Sequence, residues 1–250
     1  TLSACEMKMG YRTTARLPLI AKSPNNEGIY FSLYSKALAE INCSLKVVRA
    51  PKKRIMHMLK IGELDFYPGL GYSAERETFL HFVDSGMENR TVVMSHVDAK
   101  NISSLSDMKG KTLIISQGAR PINAVPDGVI IRSVYDLSIA KAVELIATKQ
   151  ADYYLYGSNS IRYYLALNPN KFIRVNNYDD EIDPITLGFS KHSKYAGSFQ
   201  NPNYNVKIPG SQSNTKQVLA KGNKAFEFKK ALMGLKVNGT TDTLVKQYIN

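Results

Sequence analysis

Twice along this chain a helix end, a polar turn, an aspartate and an apolar strand follow one another in the same order. The first instance is Lys60-Ile61-Gly62-Glu63-Leu64-Asp65-Phe66-Tyr67, and the second is Thr148-Lys149-Gln150-Ala151-Asp152-Tyr153-Tyr154. Each closes a run of strand and helix patterns. In the first run Cys5–Tyr11 alternates as a strand, and Tyr30, Leu33, Tyr34, Ala37, Leu38 and Ile41 fall on one helix face. Residues 45–48 read as a second strand, Ile55, Met58 and Leu59 mark a helix after Pro51, and residues 65–70 form a third strand. Strand and helix in strict alternation predict a parallel sheet with helical crossovers. The second run repeats this with strands at Thr112–Ser116 and 128–134, a helix carrying Ile139, Ala142, Val143 and Ile146, and a strand at 152–156.

A chain of 250 residues is long enough for two such units with cores of their own. The expected fold is α/β with two lobes, each a mixed, mostly parallel sheet flanked by helices. Lobe 1 is expected to be discontinuous, residues 1–88 and 187–250, with lobe 2 at 89–186. Residues 82–94 and 183–190 are extended and partly apolar, and are expected to join the lobes as a two-strand hinge. The chain closes with two helices. Phe228, Ala231, Leu232 and Leu235 stripe the first, Gly239 stops it, and Thr240 or Thr241 caps a second bearing Leu244, Val245 and Tyr248. Residues 194–216, rich in Asn, Ser, Gly, Pro and Lys, read as a long surface loop with no core.

Composition excludes several classes. Hydrophobic residues at 44% and charged residues at 22% are those of a globular protein rather than a disordered one. No apolar run reaches the length that spans a bilayer. His57, His81, His96 and His192 are scattered, so no metal ligation is expected. There is no Gly-x-Ser-x-Gly elbow, no phosphate-loop lysine and no His-Glu-x-x-His, so no catalytic residues are assigned and no enzyme or cofactor is expected. The opening Thr1-Leu2-Ser3 suits a mature or trimmed chain. The net charge of +12 is uneven, because residues 187–250 hold 10 Lys, no Arg and only two acids. Nucleic-acid binders mix Arg with aromatics, so this tail reads as a solvated face; an anionic membrane or acidic partner is the alternative. Cys5 and Cys43 precede neighbouring strand candidates, and are either a disulfide at one sheet edge or two unrelated buried thiols.

The stretch after residue 68 is where chemistry is expected. Gly69, Gly71 and Ser73 let a ligand approach main-chain N–H groups, and Arg76 follows with a planar fork of donors matched to a carboxylate. Alternatively Arg76 pairs with Glu75, Glu77 or Asp84. Tyr11, Tyr67, Tyr72 and Tyr156 lie at predicted strand ends, as pocket wall or core edge. Asp65 and Asp152 read as turn or cap residues.

Taken in order, Pro51-Lys52-Lys53-Arg54, Gly62-Glu63-Leu64-Asp65, Ser73-Ala74-Glu75-Arg76, Phe82, Lys109-Gly110-Lys111-Thr112 and Asn238-Gly239-Thr240 resemble the bacterial extracellular solute-binding proteins of family 3. These are amino-acid-type receptors of ABC importers with the type II periplasmic-binding-protein fold. The resemblance covers the chain except 194–216. It implies an exported, periplasmic, monomeric protein that closes by hinge motion on a small molecule and delivers it to a membrane permease. An oxidising compartment would suit a Cys5–Cys43 disulfide. The resemblance assigns Arg76 to a ligand carboxylate. Gly69, Gly71 and Ser73 would supply hydrogen bonds, and Gly118, Ala119 and Arg120 would form an anion-binding helix start in the second lobe. It also exposes departures. The acid that usually holds an α-ammonium is replaced by Gly157, between Tyr156 and Ser158, and the loop after the first strand offers Arg12 and Arg16. The helix-start aromatic gives way to Pro51-Lys52. The implied ligand is anionic or carboxylate-bearing, without a required amine. The same fold also serves receptor input domains and dehydratase-like or cell-wall-active enzymes.

Overall fold

The computed structural model describes residues 5–117, 125–177 and 183–249. The strands in chain order are β1 (Cys5–Tyr11), β2 (Cys43–Arg49), β3 (Phe66–Pro68), β4 (Leu80–Asn89), β5 (Thr91–His96) and β6 (Thr112–Ser116). They continue with β7 (Ile130–Val134), β8 (Tyr153–Gly157), β9 (Ile173–Asn176), β10 (Asp183–Ser190), β11 (Ser198–Gln200) and β12 (Gln217–Leu219). The helices are α1 (Ile29–Ala39), α2 (Lys52–Lys60), α3 (Ala74–Glu77), α4 (Ile139–Ala147), α5 (Ser158–Leu167), α6 (Lys224–Val237) and α7 (Thr240–Ile249). Two compact units result, residues 5–88 with 184–248, and residues 89–183. The chain thus returns to the first unit at 184, where the sequence placed the return at 187.

The first unit holds a five-stranded sheet in the order β2-β1-β3-β10-β4. Strand β1 runs parallel to both β2 and β3, and β10 is antiparallel to β3. Its core centres on Phe66, whose ring lies 5.2 Å from Phe228, 5.3 Å from Tyr34 and 6.1 Å from Phe189. The apolar face of α1 (Tyr30, Leu33, Tyr34, Ala37, Leu38) is fully buried on this sheet, as its spacing requires. The second unit repeats the topology as β7-β6-β8-β5-β9, with β6 parallel to β7 and β8, and β5 antiparallel to β8 and β9. Val92, Met94, Ile114, Ile146 and Tyr154 form one core on it.

One device recurs in both units. The Asp65 carboxylate accepts from the Lys8 amide at 2.6 Å and from the Ser193 hydroxyl at 2.5 Å. Asp152 accepts from the Thr112 amide at 2.8 Å. Each aspartate therefore ties the start of one strand to its neighbour, where the sequence offered only a turn or cap role. Burial of Asp65 pushes its pKa up, against the pull of the Lys8 amide and Ser193 hydroxyl.

The structure also departs from the sequence reading elsewhere. Strand β2 begins at Cys43 rather than 45, which sets Cys43 opposite Cys5 in the parallel register, and the two form a disulfide. Helix α5 and strand β9 were not expected. Residues 194–216 are no slack loop: β11 and β12 pair as a ribbon with Phe199 opposite Val218. His81 is buried beneath that ribbon with Nε2 2.9 Å from the Ser198 hydroxyl, and burial and the Lys191 charge lower its pKa to about 4.

Candidate functional site

Parallel strands of an α/β sheet present their carboxyl ends to ligands. In the first unit those ends are Tyr11 of β1 and Pro68 of β3, each followed by a loop. The loop after β1 is organised by Arg49, the last residue of β2. Arg49 Nε donates to Asn26 Oδ1 at 2.9 Å, Nη1 to the Arg12 carbonyl at 2.6 Å, and Nη2 to the carbonyls of Ala21 and Asn25 at 2.9 and 2.8 Å. Its guanidinium also lies 5.8 Å from the centre of the Tyr11 ring. A planar five-donor group can satisfy this many carbonyls at once; a lysine cannot. Arg49 thus fixes the backbone that carries Arg12 and Arg16.

Both of those arginines come back to the sheet. The Arg12 and Arg16 charges act on Tyr67, partly offsetting the rise that burial imposes on its hydroxyl pKa. The Arg16 charge likewise acts on Tyr30, whose pKa burial drives upward. Gly69 has φ +65°, and a Cβ there would lie 2.6 Å from the Tyr30 hydroxyl and 3.9 Å from Arg16 Nη1. Glycine is required at this position both for its left-handed backbone and for the close approach of Tyr30.

On the same short loop, Arg76 Nη1 donates to the Gly71 carbonyl at 2.8 Å, and the Arg76 amide donates to the Ser73 hydroxyl at 3.3 Å. Two guanidinium groups, Arg16 and Arg76, therefore reach the loop Gly69-Leu70-Gly71. Neighbouring acids are directed to other groups. Glu75 meets Lys60 at 3.4 Å, and Glu77 accepts from the Tyr72 hydroxyl at 2.8 Å and the Lys216 amide at 2.6 Å. The result is a group of cations, Arg12, Arg16 and Arg76, near half-buried Gly69 and exposed Gly71, which suits an oxyanion.

Behind these arginines stand tyrosines. Tyr11 stacks on Tyr67 at 5.3 Å and meets Tyr30 edge-on at 5.8 Å. Tyr11 and Tyr67 are buried, so they form the floor beneath the loops, where the sequence left wall and core edge open. Tyr72, for which pocket wall and core edge were both open, is half-buried against its neighbours. Its hydroxyl is held by Glu77, its ring packs 5.3 Å from Phe82, and a Cβ on Gly210 would collide with it.

In the second unit Tyr156 and Gly157 end β8. Tyr156 stacks on Tyr154 at 5.5 Å, and Gly157 precedes the first turn of α5. The Ser158 amide donates to the Arg90 carbonyl at 2.8 Å, and a Cβ on Gly157 would lie 2.8 Å from Asn89 Oδ1. A longer side chain at 157, such as an ammonium-binding acid, has no room without moving Asn89. Gly118, Ala119 and Arg120 lie outside the described residues. Among the described residues no group of three or more His, Cys, Asp and Glu is placed to hold a metal ion, and no helix is long and apolar enough to cross a membrane.

Sequence reasoning missed Arg49 and Tyr30. Arg49 closes a strand in a Val-Val-Arg run and gave no loop signal. Tyr30 sat on the helix stripe and was read as core alone.

No protein-family model and no curated protein matches the sequence. Solved structures do match in fold. The L-cystine solute receptor of Neisseria gonorrhoeae, in its unliganded open conformation, aligns with a TM-score of 0.68 at 19% identity, over 98% of this chain and 93% of that one. An ancestral cationic amino-acid solute-binding protein aligns at 0.68 and 18% identity, over 98% and 96%. The GluR0 ligand-binding core from Nostoc punctiforme, in complex with L-glutamate, aligns at 0.64 and 16%, over 97% and 98%. The chain therefore has the type II periplasmic-binding-protein fold, and the resemblance read from its motifs is carried by the architecture.

Proposed function

We propose that this chain is a solute-binding protein that captures a small anionic or carboxylate-bearing molecule and delivers it to the membrane permease of an ABC importer. The observation that carries the reading is the meeting of Arg16 and Arg76 on the loop Gly69-Leu70-Gly71, with Arg12 beside it on Tyr67. Structural neighbours named as binding cystine, glutamate and cationic amino acids support a small-molecule ligand. The local charge and the glycine at 157 argue for an anion without an α-ammonium group. In this reading Arg76 holds the carboxylate, and Gly71 and Ser73 add hydrogen bonds. Arg12 and Arg16 take further negative charge, and the protein releases its ligand unchanged. Such a protein works in the periplasm, and the disulfide fits an oxidising compartment.

Thermal unfolding against a panel of amino acids, dicarboxylates, keto acids and other small anions tests this. A ligand at about 100 times its dissociation constant adds roughly 2.7 kcal/mol of stability. Stabilisation by amine-free anions and not by α-amino acids is the expected result, with the ligand recovered intact. Replacing Arg76 by Ala is expected to weaken binding of the ligand so found by about 1.5–3 kcal/mol, the range of a charged hydrogen bond, by calorimetry. Unchanged affinity in that variant would remove Arg76 from the site.

A further inference from the structure

Between Asp183 and Glu227 the chain has no acidic residue, yet it carries Lys191, Lys194, Lys207, Lys216, Lys221 and Lys224. This segment contains the ribbon β11–β12 and the loop that joins its strands, the part outside the family resemblance. The loop has a fixed shape. Asn214 is 4% exposed, and its Nδ2 donates to the carbonyls of Asn205, Ile208 and Pro209 at 3.0, 3.2 and 3.2 Å. Its Oδ1 accepts from the Asn205 amide at 2.9 Å. One buried amide side chain therefore sets the backbone from 205 to 209. The loop is anchored below as well, through Gln212 to the Thr186 hydroxyl at 3.0 Å and through the Lys216 amide to Glu77 at 2.6 Å.

On this rigid support stand apolar side chains in water. Val206 is 80% exposed, Ile208 51% and Phe199 60%, and the exposed Lys207 separates the first two. Lys216 and Lys221 are exposed on the same ribbon and the turn after it. Lys191 and Lys224 are committed elsewhere, to the Glu77 carbonyl and to Glu227. A loop held in shape while it displays isolated apolar groups among uncompensated lysines has the composition of an interfacial anchor.

We propose that the tip of this loop docks the first unit onto an anionic lipid surface. Val206 and Ile208 enter the boundary between headgroups and acyl chains, and Lys207 and Lys216 meet the negative headgroups. The pattern favours lipid over protein. A protein interface needs a contiguous, shape-matched apolar centre. Here the apolar groups are single, divided by Lys207 and surrounded by Asn, Ser and Gly, which a fluid surface accepts without shape matching. This docking is independent of the arginine site.

Sedimentation of the full chain with vesicles tests it, comparing phosphatidylcholine alone with a phosphatidylcholine–phosphatidylglycerol mixture. Binding to the mixed vesicles only, weakened by added salt, is expected. The double variant Val206→Ser with Ile208→Ser is expected to bind roughly tenfold more weakly, because the apolar insertion is lost and the charge is unchanged. Both positions are solvent-exposed, so the fold survives, which an unchanged unfolding temperature verifies. Lys207→Gln with Lys216→Gln should also weaken binding. No sedimentation with either lipid overturns the proposal, as does serine-variant binding equal to that of the parent. Retention only by native membranes, and not by pure lipid, would also overturn it and give the surface to a protein partner.

Discussion

At the scale of single residues, buried polar groups at several positions take their properties from what the fold places around them. His81 is the clearest case. Its ring is 3% exposed under the ribbon, and its pKa of about 4 lies below the usual 6.5 because burial and Lys191 disfavour the imidazolium. Between those two values the unfolded chain binds the proton and the folded chain does not, so stability rises with pH across that window. Acidification from about pH 6.5 toward 4 is expected to remove up to about 3 kcal/mol. Denaturant titrations over this range should show the slope, and His81→Gln should flatten it. Asp65 has the opposite sign, since its raised pKa makes the folded state the better proton binder at acid pH. Comparing His81→Gln with the parent chain isolates the histidine contribution from that background. The arginines show how far residue identity alone reveals a role. Arg12, Arg16 and Arg76 stood out as candidates because each follows a strand end in a polar or glycine loop. Arg49 did not, because the four groups it binds lie in residues 12–26 and meet it only once β1 and β2 pair.

Among elements, legibility followed periodicity. The bounds of β1 and β6 are those the alternation predicted, and α1, α6 and α7 lie where their apolar stripes fall. Helix α5 was hidden by its polar first turn, Ser158-Asn159-Ser160, although Ile161, Tyr164 and Leu165 continue as a helical stripe. The ribbon was hidden for a different reason. Its strands are three residues each and gain their order from Asn214, Glu77 and Thr186, none of which announces a strand. The start of β2 was missed because Cys43-Ser44 offers little apolar signal; the register with β1 supplies it. That register also carries the covalent tie between the two strands. The disulfide closes a separation of 38 residues, for which chain-entropy arguments give about 4 kcal/mol. Chemical denaturation of Cys5→Ser with Cys43→Ser is expected to show a loss of roughly 3–4 kcal/mol. A loss well under 1 kcal/mol would mean that sheet pairing alone fixes β1 against β2 in the unfolded ensemble as well.

For the whole molecule, two sheets of the same strand order each place their aspartate tie at the start of the strands and their candidate ligand groups at the ends. The ties and the candidate ligand groups thereby lie at opposite edges of each sheet, so residues after the strands can change without disturbing the ties. This is why the architecture was readable from motifs and the ligand was not. The motifs sit at turns and strand starts, whereas the proposed ligand preference rests on positions such as Gly157, where the feature that counts is the space Asn89 occupies. The tyrosine floor has a last consequence. The chain has no Trp and 15 Tyr, and Tyr11, Tyr30 and Tyr67 lie packed together directly beneath the arginines. Near-ultraviolet absorbance and emission of this protein are dominated by phenol rings, and three of those rings share the local field that an arriving anion would change. Capture of a ligand should therefore be visible in the protein's own light, without a dye, and a single tryptophan introduced at a remote surface position would remain spectrally separate as an internal reference.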